Sequence, residues 1–239
     1  METGSNMALS PQEHRAHCRV IKDVLQAGLN QPCTLGDQTE TRKQRLLFLA
    51  SVLQNMSAGT KGAGLSGGVA QENLWREMLA DMKVGFTDQA PAGSETAEAD
   101  YYFKGYPLSH KTIGYKAKNP ALALAWSKNP PGGLQRTEFS TSMVLLNYKP
   151  QTQRAKDTNW RDARQGAHII PLPDLREIVV EFDDNNKTDS LITSEYVGKL
   201  IAFSQSNNLS VYFDFDNTVG EGLILSYWRG GTKGAVRKE

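Results

Sequence analysis

Two short runs rich in aromatic and β-forming residues, Tyr101 to Phe103 and Leu108 to Ile113, flank a glycine turn at Gly105, and this spacing predicts a β-hairpin. The hairpin fixes which side chains can meet. Strand alternation puts Ser109 and Lys111 on one face of the second strand and His110 on the other, where a packing role is expected for it. A turn at Gly105 folds Asp100, at the head of the first strand, back towards Ser109 and Lys111. One carboxylate, one hydroxyl and one ammonium are thereby predicted to share a small volume.

The flanking sequence supplies helices and further strands. Ser10, Pro11 and Glu13 form a helix start, and Val20, Ile21, Val24 and Leu25 continue an amphipathic pattern to about Gly28. A second helix is predicted from about Thr41 through Leu46, Leu47, Leu49, Val52 and Leu53. Ser57 to Gly68 reads as a Gly/Ser loop, and a helix follows from about Val69 to Met82 with Trp75 at a core position. Thr87 to Ala99 is a polar stretch. Beyond the hairpin, Pro120 opens a predicted helix over Ala121 to Lys128, with Trp126 inward, closed by Pro130, Pro131, Gly132 and Gly133. A strand is predicted over Ser142 to Tyr148, followed by a long basic loop from Lys149 to Gln165 that is either a DNA-contacting arm or simply mobile. Ile169 to Pro171, a short segment near Ile178 to Phe182, a helix over Thr193 to Ser206, and strands Val211 to Phe215 and Leu223 to Trp228 complete the reading. Mixed elements without a repeat predict an α/β fold, a mixed central sheet flanked by helices. The expected organisation is an N-terminal helical segment over 1–60 and a second domain over 61–239.

Composition narrows the function classes. A chain of 239 residues with 39% hydrophobic content can bury a sizeable core. It contains no apolar run long enough to span a bilayer, and its first ten residues lack the core of a signal peptide, so a cytoplasmic location is expected. Cys18 and Cys33 have no metal-ligand spacing around them and read as buried or idle thiols. The formal net charge of +1 conceals a segregation: residues 101–164 carry 11 Lys/Arg against 3 Asp/Glu, residues 165–225 carry 3 against 10, and the tail from 226 carries 4 against 1. A basic middle and a basic end suit a polyanion such as DNA. His14 and His17, an i,i+3 pair on the first helix, read as surface residues.

Phosphodiester hydrolysis needs the groups that the hairpin gathers. A carboxylate holds a hard divalent ion, the ion polarises phosphate and activates a water, and a lysine orients that water or stabilises developing charge. Asp100-Tyr-Tyr-Phe-Lys-Gly-Tyr-Pro-Leu-Ser109-His110-Lys111 resembles the PD-(D/E)xK nuclease motif in the variant where serine replaces the second acid; type II restriction endonucleases are its best-known owners. About 28 residues upstream, Gly67-Gly68-Val-Ala-Gln-Glu72-Asn-Leu-Trp-Arg-Glu77 resembles the glycine-led helix that precedes this motif and supplies an acid to the site. The helix-then-strand order predicted downstream, Ala121 to Lys128 and then Met143 to Leu146, is also similar to the nuclease core. Two positions depart from the pattern. Ala99 stands where proline is usual, and neutral Ser109 leaves a missing charge that Glu72, then Glu77, then Glu138 are the candidates to replace. Only one of Glu72 and Glu77 can easily face inward. The resemblance implies a restriction-endonuclease-like fold and catalytic residues Asp100, Ser109, Lys111, Glu72 and Glu77. It further implies Mg2+ held by Asp100 and Glu72, a double-stranded DNA substrate cut at a specific sequence, and a homodimer.

A second motif competes. Val211-Tyr-Phe-Asp214-Phe-Asp216-Asn-Thr218-Val219 resembles the nucleophile strand of haloacid-dehalogenase-like phosphatases, with Asp214 as nucleophile and Asp216 as acid/base. Asp183, Asp184 and Asp189 resemble that family's metal-binding segment. The order is wrong for it: the nucleophile strand normally comes first, and here only 20 residues follow Val219. The plain alternative is an edge strand exposing Tyr212, Asp214 and Asp216. A non-catalytic DNA-binding protein is a third reading, without helix-turn-helix or zinc signature in its support.

Overall fold

A computed structural model describes residues 9–34, 41–46, 49, 63–92, 98–112, 122–123, 139–147, 166–185, 191–192 and 194–213. The first helix, α1 (Pro11–Leu29), starts as its sequence predicts. Ser10 Oγ accepts the Glu13 amide at 3.3 Å and the Glu13 carboxylate accepts the Ser10 amide at 2.6 Å, a reciprocal cap with Pro11 at the first helical position. Cys18, Ile21, Leu25 and Leu29 form its buried face. His17 is exposed and His14 half-buried, and both meet Tyr106. His14 Nδ1 and the Tyr106 hydroxyl are 2.6 Å apart, and the His17 ring stacks on Tyr106 at 4.7 Å.

Of the predicted second helix, Arg42 to Leu46 and Leu49 are helical and the remainder lies outside the described residues. The buried Arg42 guanidinium pairs with Asp81 and donates to the Gly28 carbonyl at 3.1 Å, tying this turn to the ends of two other helices. The next helix, α2 (Ala63–Met82), begins before the predicted Val69, so Ala63 to Gly68 is helix rather than loop. Once a helix is nucleated and packed, each added residue gains a hydrogen bond, which offsets glycine's preference of about 1 kcal/mol against helix. Leu74, Trp75, Met78, Leu79 and Met82 are its buried stripe.

The sheet has six described strands: β1 (Phe86–Thr87), β2 (Tyr101–Phe103), β3 (Tyr106–Thr112), β5 (Ser142–Asn147), β6 (Gly166–Ile170) and β8 (Ser210–Tyr212), in the order β1-β2-β3-β5-β6-β8. Between these in sequence lie β4 (Leu122–Ala123), β7 (Leu191–Ile192) and the helices α3 (Leu172–Asn185) and α4 (Ser194–Ser206). The β2–β3 hairpin turns through Lys104 and Gly105, both at positive φ (47° and 84°), the two-residue turn whose twist matches paired strands. Strands β3 and β5 are parallel, and the other described pairings in this sheet are antiparallel. The predicted helix over 121–128 is contradicted where it is described: Leu122 and Ala123 form β4, paired with β7, because a partner strand almost seventy residues away overrides the helical preference of Leu and Ala. The segment near Ile178 to Phe182 belongs to α3, and β1 lies at the start of what reads in sequence as a polar stretch.

Consecutive residues of β5 point to opposite sides, and both sides are buried. Val144 and Leu146 join Leu108, Ala167 and Ile169 in a core with α1 and α2. Met143 and Leu145 join Ile170 in a second core with α3 and α4. Helices therefore cover both faces of a mixed sheet, and a doubly covered strand reads as the continuous apolar run that β5 is. No described helix is long and apolar enough to cross a membrane.

His110 lies on the α1/α2 side as alternation requires, 5% exposed, with its ring 6.4 Å from that of Tyr101 and its Nδ1 without a hydrogen-bond partner among the described residues. Burial, with the positive charges of Lys111 and Arg76, pushes its pKa down to about 3. It is neutral in the fold but takes a proton near pH 6.5 when unfolded, so its penalty is absent above that pH and grows as pH falls towards 3. Between pH 6.5 and 5 the parent should lose about 2 kcal/mol more stability than His110→Phe in denaturant titrations. Equal losses in the two proteins would contradict this.

Candidate active site

Asp100 sits where β2 stops pairing with β3. Its amide donates to the Leu108 carbonyl at 2.9 Å, the last backbone bond of the hairpin. Two residues on, the His110 amide points towards β2 but has no strand to meet, and Asp100 Oδ2 accepts it at 2.6 Å. A buried amide must find a partner, and a carboxylate makes the short, charge-assisted kind of bond. The backbone of β3 thus holds the acid in place.

Ser109 and Lys111 flank His110 and point to the other side, in parallel register with Met143 and Leu145. Continuing the β2–β3 register one step sets Asp100 opposite Ser109. Ser109 is fully buried, and its hydroxyl has no hydrogen-bond partner among the described residues; Lys111 is half-buried. The three hairpin residues singled out in the sequence therefore lie together at one end of the β2–β3 pairing.

Helix α2 brings the fourth group. Trp75 is fully buried and its indole N–H donates to the Tyr101 hydroxyl at 3.2 Å, which pins α2 against β2. Glu72, three residues earlier, is half-buried. Burial holds its carboxyl above the ordinary range, the negative charge of Asp100 adds to this, and Arg76 and Lys111 pull the other way. Glu72, Arg76, Asp100 and Lys111 thus occupy one electrostatic neighbourhood. Glu77 is exposed on another face of α2. Glu138, the basic stretch 149–165, Asp189, and Asp214, Asp216 and Thr218 lie outside the described residues, as does Trp126. Asp183 and Asp184 fall in the last turn of α3. Strand β8, which leads into the Asp214 motif, is antiparallel to β6 and is the last strand of the sheet among the described residues.

Arg76, Asp88 and Glu98 join the site without having been singled out in the sequence. Arg76 donates to Asp88 at 2.9 Å and to Glu72 at 3.4 Å. Its i+4 spacing from Glu72 was a readable signal. Glu98 was not readable, because its partners are over forty residues away: it accepts from the Ser140 amide and hydroxyl, each at 2.7 Å, and from the Thr141 hydroxyl at 2.9 Å. It ties the residues before β2, two positions from Asp100, to those before β5.

Among the described residues no cluster of three or more His, Cys, Asp or Glu forms a closed metal cage. Asp100 and Glu72, two carboxylates whose charges act on one another, are of the kind that holds a hard cation keeping several waters, which is how Mg2+ is usually bound.

Glu98→Ala should destabilise the fold by about 1–2 kcal/mol, chiefly by orphaning the buried Thr141 hydroxyl, while Glu98→Gln should cost less. Urea unfolding of both variants checks this, and a Glu98→Ala protein as stable as the parent would refute the tie.

No family model matches the chain, and no curated protein matches it in sequence. A solved structure described as a restriction endonuclease in complex with substrate DNA is similar to it, with a TM-score of 0.44 and 15% identity, covering 93% of this chain and all of that one. The functional reading accordingly rests on the residues of the site.

Proposed function

We propose that this chain is a Mg2+-dependent endonuclease that cuts double-stranded DNA at a specific short sequence, as type II restriction endonucleases do, and that it acts as a homodimer. The observation that carries the reading is the Asp100 carboxylate held by the His110 amide beside Ser109 and Lys111, with Glu72 in its electrostatic field. Asp100 and Glu72 are the residues that would hold the ion, and Glu72 supplies the negative charge that Ser109 lacks. When bound, such an ion supplies Lewis-acid polarisation of a phosphate oxygen and a water of lowered pKa. Lys111 contributes a positive charge on the same face of β3, placed to orient water or to stabilise charge developing on phosphate. The basic content of residues 101–164 and of the tail supplies sequence-independent attraction for the DNA backbone. Cutting both strands of a palindromic site is most simply done by two copies about a twofold axis.

Plasmid or phage DNA incubated with the protein and Mg2+ should yield discrete fragments, and none when the ion is chelated. Asp100→Ala should abolish cleavage yet retain DNA binding, Lys111→Ala should cut poorly, and Glu72→Gln should slow cleavage by orders of magnitude while Glu77→Gln behaves as a surface change. Asp214→Asn should stay within roughly tenfold of the parent. Loss of cleavage in a folded Asp214→Asn protein with cleavage retained in Asp100→Ala would transfer the chemistry to the phosphatase-like motif.

A further inference from the structure

Arg76 is shared unequally between two carboxylates. Its Nε donates to Asp88 Oδ1 at 2.9 Å, a full hydrogen bond, whereas its Nη1 reaches Glu72 Oε1 at 3.4 Å, close to the limit for one. Glu72 and Arg76 face each other one turn apart on α2, with side chains 31% and 30% exposed, and Asp88, just beyond β1, is 61% exposed. Asp88 therefore takes the larger share of the guanidinium and leaves Glu72 only partly neutralised. Asp100 adds a further negative charge to the same neighbourhood. A cation arriving at Glu72 competes with Arg76 for the same oxygens, and Asp88 decides how hard that competition is.

We propose that Arg76 and Asp88 form a counter-charge pair that sets how strongly Glu72 and Asp100 take up a divalent cation, Arg76 opposing uptake and Asp88 favouring it by drawing Arg76 away. This rests on the reading of Glu72 and Asp100 as the carboxylates that hold the ion. Both residues are positioning groups that act through Glu72. The pair makes a prediction of opposite sign for its two members, which a purely structural ion pair does not: breaking a structural bridge from either end loosens the same contact and shifts binding in the same direction. Because all three side chains are partly exposed, solvent screening limits each effect to about two- to fivefold.

The test is titration of Mn2+ into the full chain without DNA, with free Mn2+ counted from its paramagnetic resonance signal, and with circular dichroism melts to verify folding. Asp100→Asn comes first: parent binding that this change leaves unweakened overturns the assignment of the site itself. With Asp100-dependent binding in hand, Arg76→Gln should bind Mn2+ about two- to fivefold more tightly and Asp88→Asn more weakly by a similar factor. The double variant should bind Mn2+ more tightly than Asp88→Asn but less tightly than Arg76→Gln, since the Asp88 charge also reaches Glu72 directly. Arg76→Lys, which keeps the charge, should show no tightening. Should Arg76→Gln fail to fold, Asp88→Asn decides the matter alone through its direction, being a change at an exposed side chain. Weaker or unchanged binding in folded Arg76→Gln, or stronger or unchanged binding in Asp88→Asn, overturns the proposal.

Discussion

The hydrogen bond from the His110 amide to Asp100 marks the point on which the site's geometry turns. The last backbone bond between the two hairpin strands is made by Asp100, one residue before β2 begins, and a central strand cannot leave its next amide bare. Asp100 resolves that need with its side chain, and in doing so commits an acid to the end of the hairpin beside Ser109 and Lys111. The carboxylate is fixed by the same requirement that fixes the sheet, and Glu98 ties the segment before it to Ser140 and Thr141. A side chain held by a backbone amide loses less further freedom when it binds a ligand, which is the sense in which a site is preorganised.

Charge is distributed around this fixed point with an evident logic. Glu72, Arg76 and Lys111 are each only partly buried at the hairpin end, so their charges act on one another through partial solvent screening. His110 responds by staying neutral, and Glu72 by holding its proton more tightly than an exposed glutamate. Two acids, Glu72 and Asp100, stand among two cations, Arg76 and Lys111, so that their charges largely offset one another. The serine at position 109 fits this balance, because a third carboxylate there would add a fully buried negative charge without a partner of its own.

What the sequence made legible was local. The Ser10 cap, the amphipathic stripe of α1, the Lys104-Gly105 turn, the alternation on β3 and the apolar run of β5 are each decided by residues within a few positions of one another. Trp75 was readable as core because its stripe repeats at helical spacing. What was not legible depended on distant partners: β4 forms where a helix is expected because Leu191 and Ile192 pair with it, and Glu98 binds Ser140 and Thr141, over forty residues away. His14 and His17 acquire a role only because Tyr106 folds against α1. Within the site, the hairpin trio could be read from alternation, whereas the choice of Glu72 over Glu77 depended on how α2 is rotated by Trp75 against Tyr101.

The most direct test of the site's location is anomalous diffraction from crystals grown with Mn2+ and cognate DNA. The account predicts a manganese peak at coordination distance, about 2.0–2.3 Å, from oxygens of Asp100 and Glu72, with a phosphate oxygen completing the set. A manganese peak at Asp214 and Asp216, with none at Asp100, would contradict it.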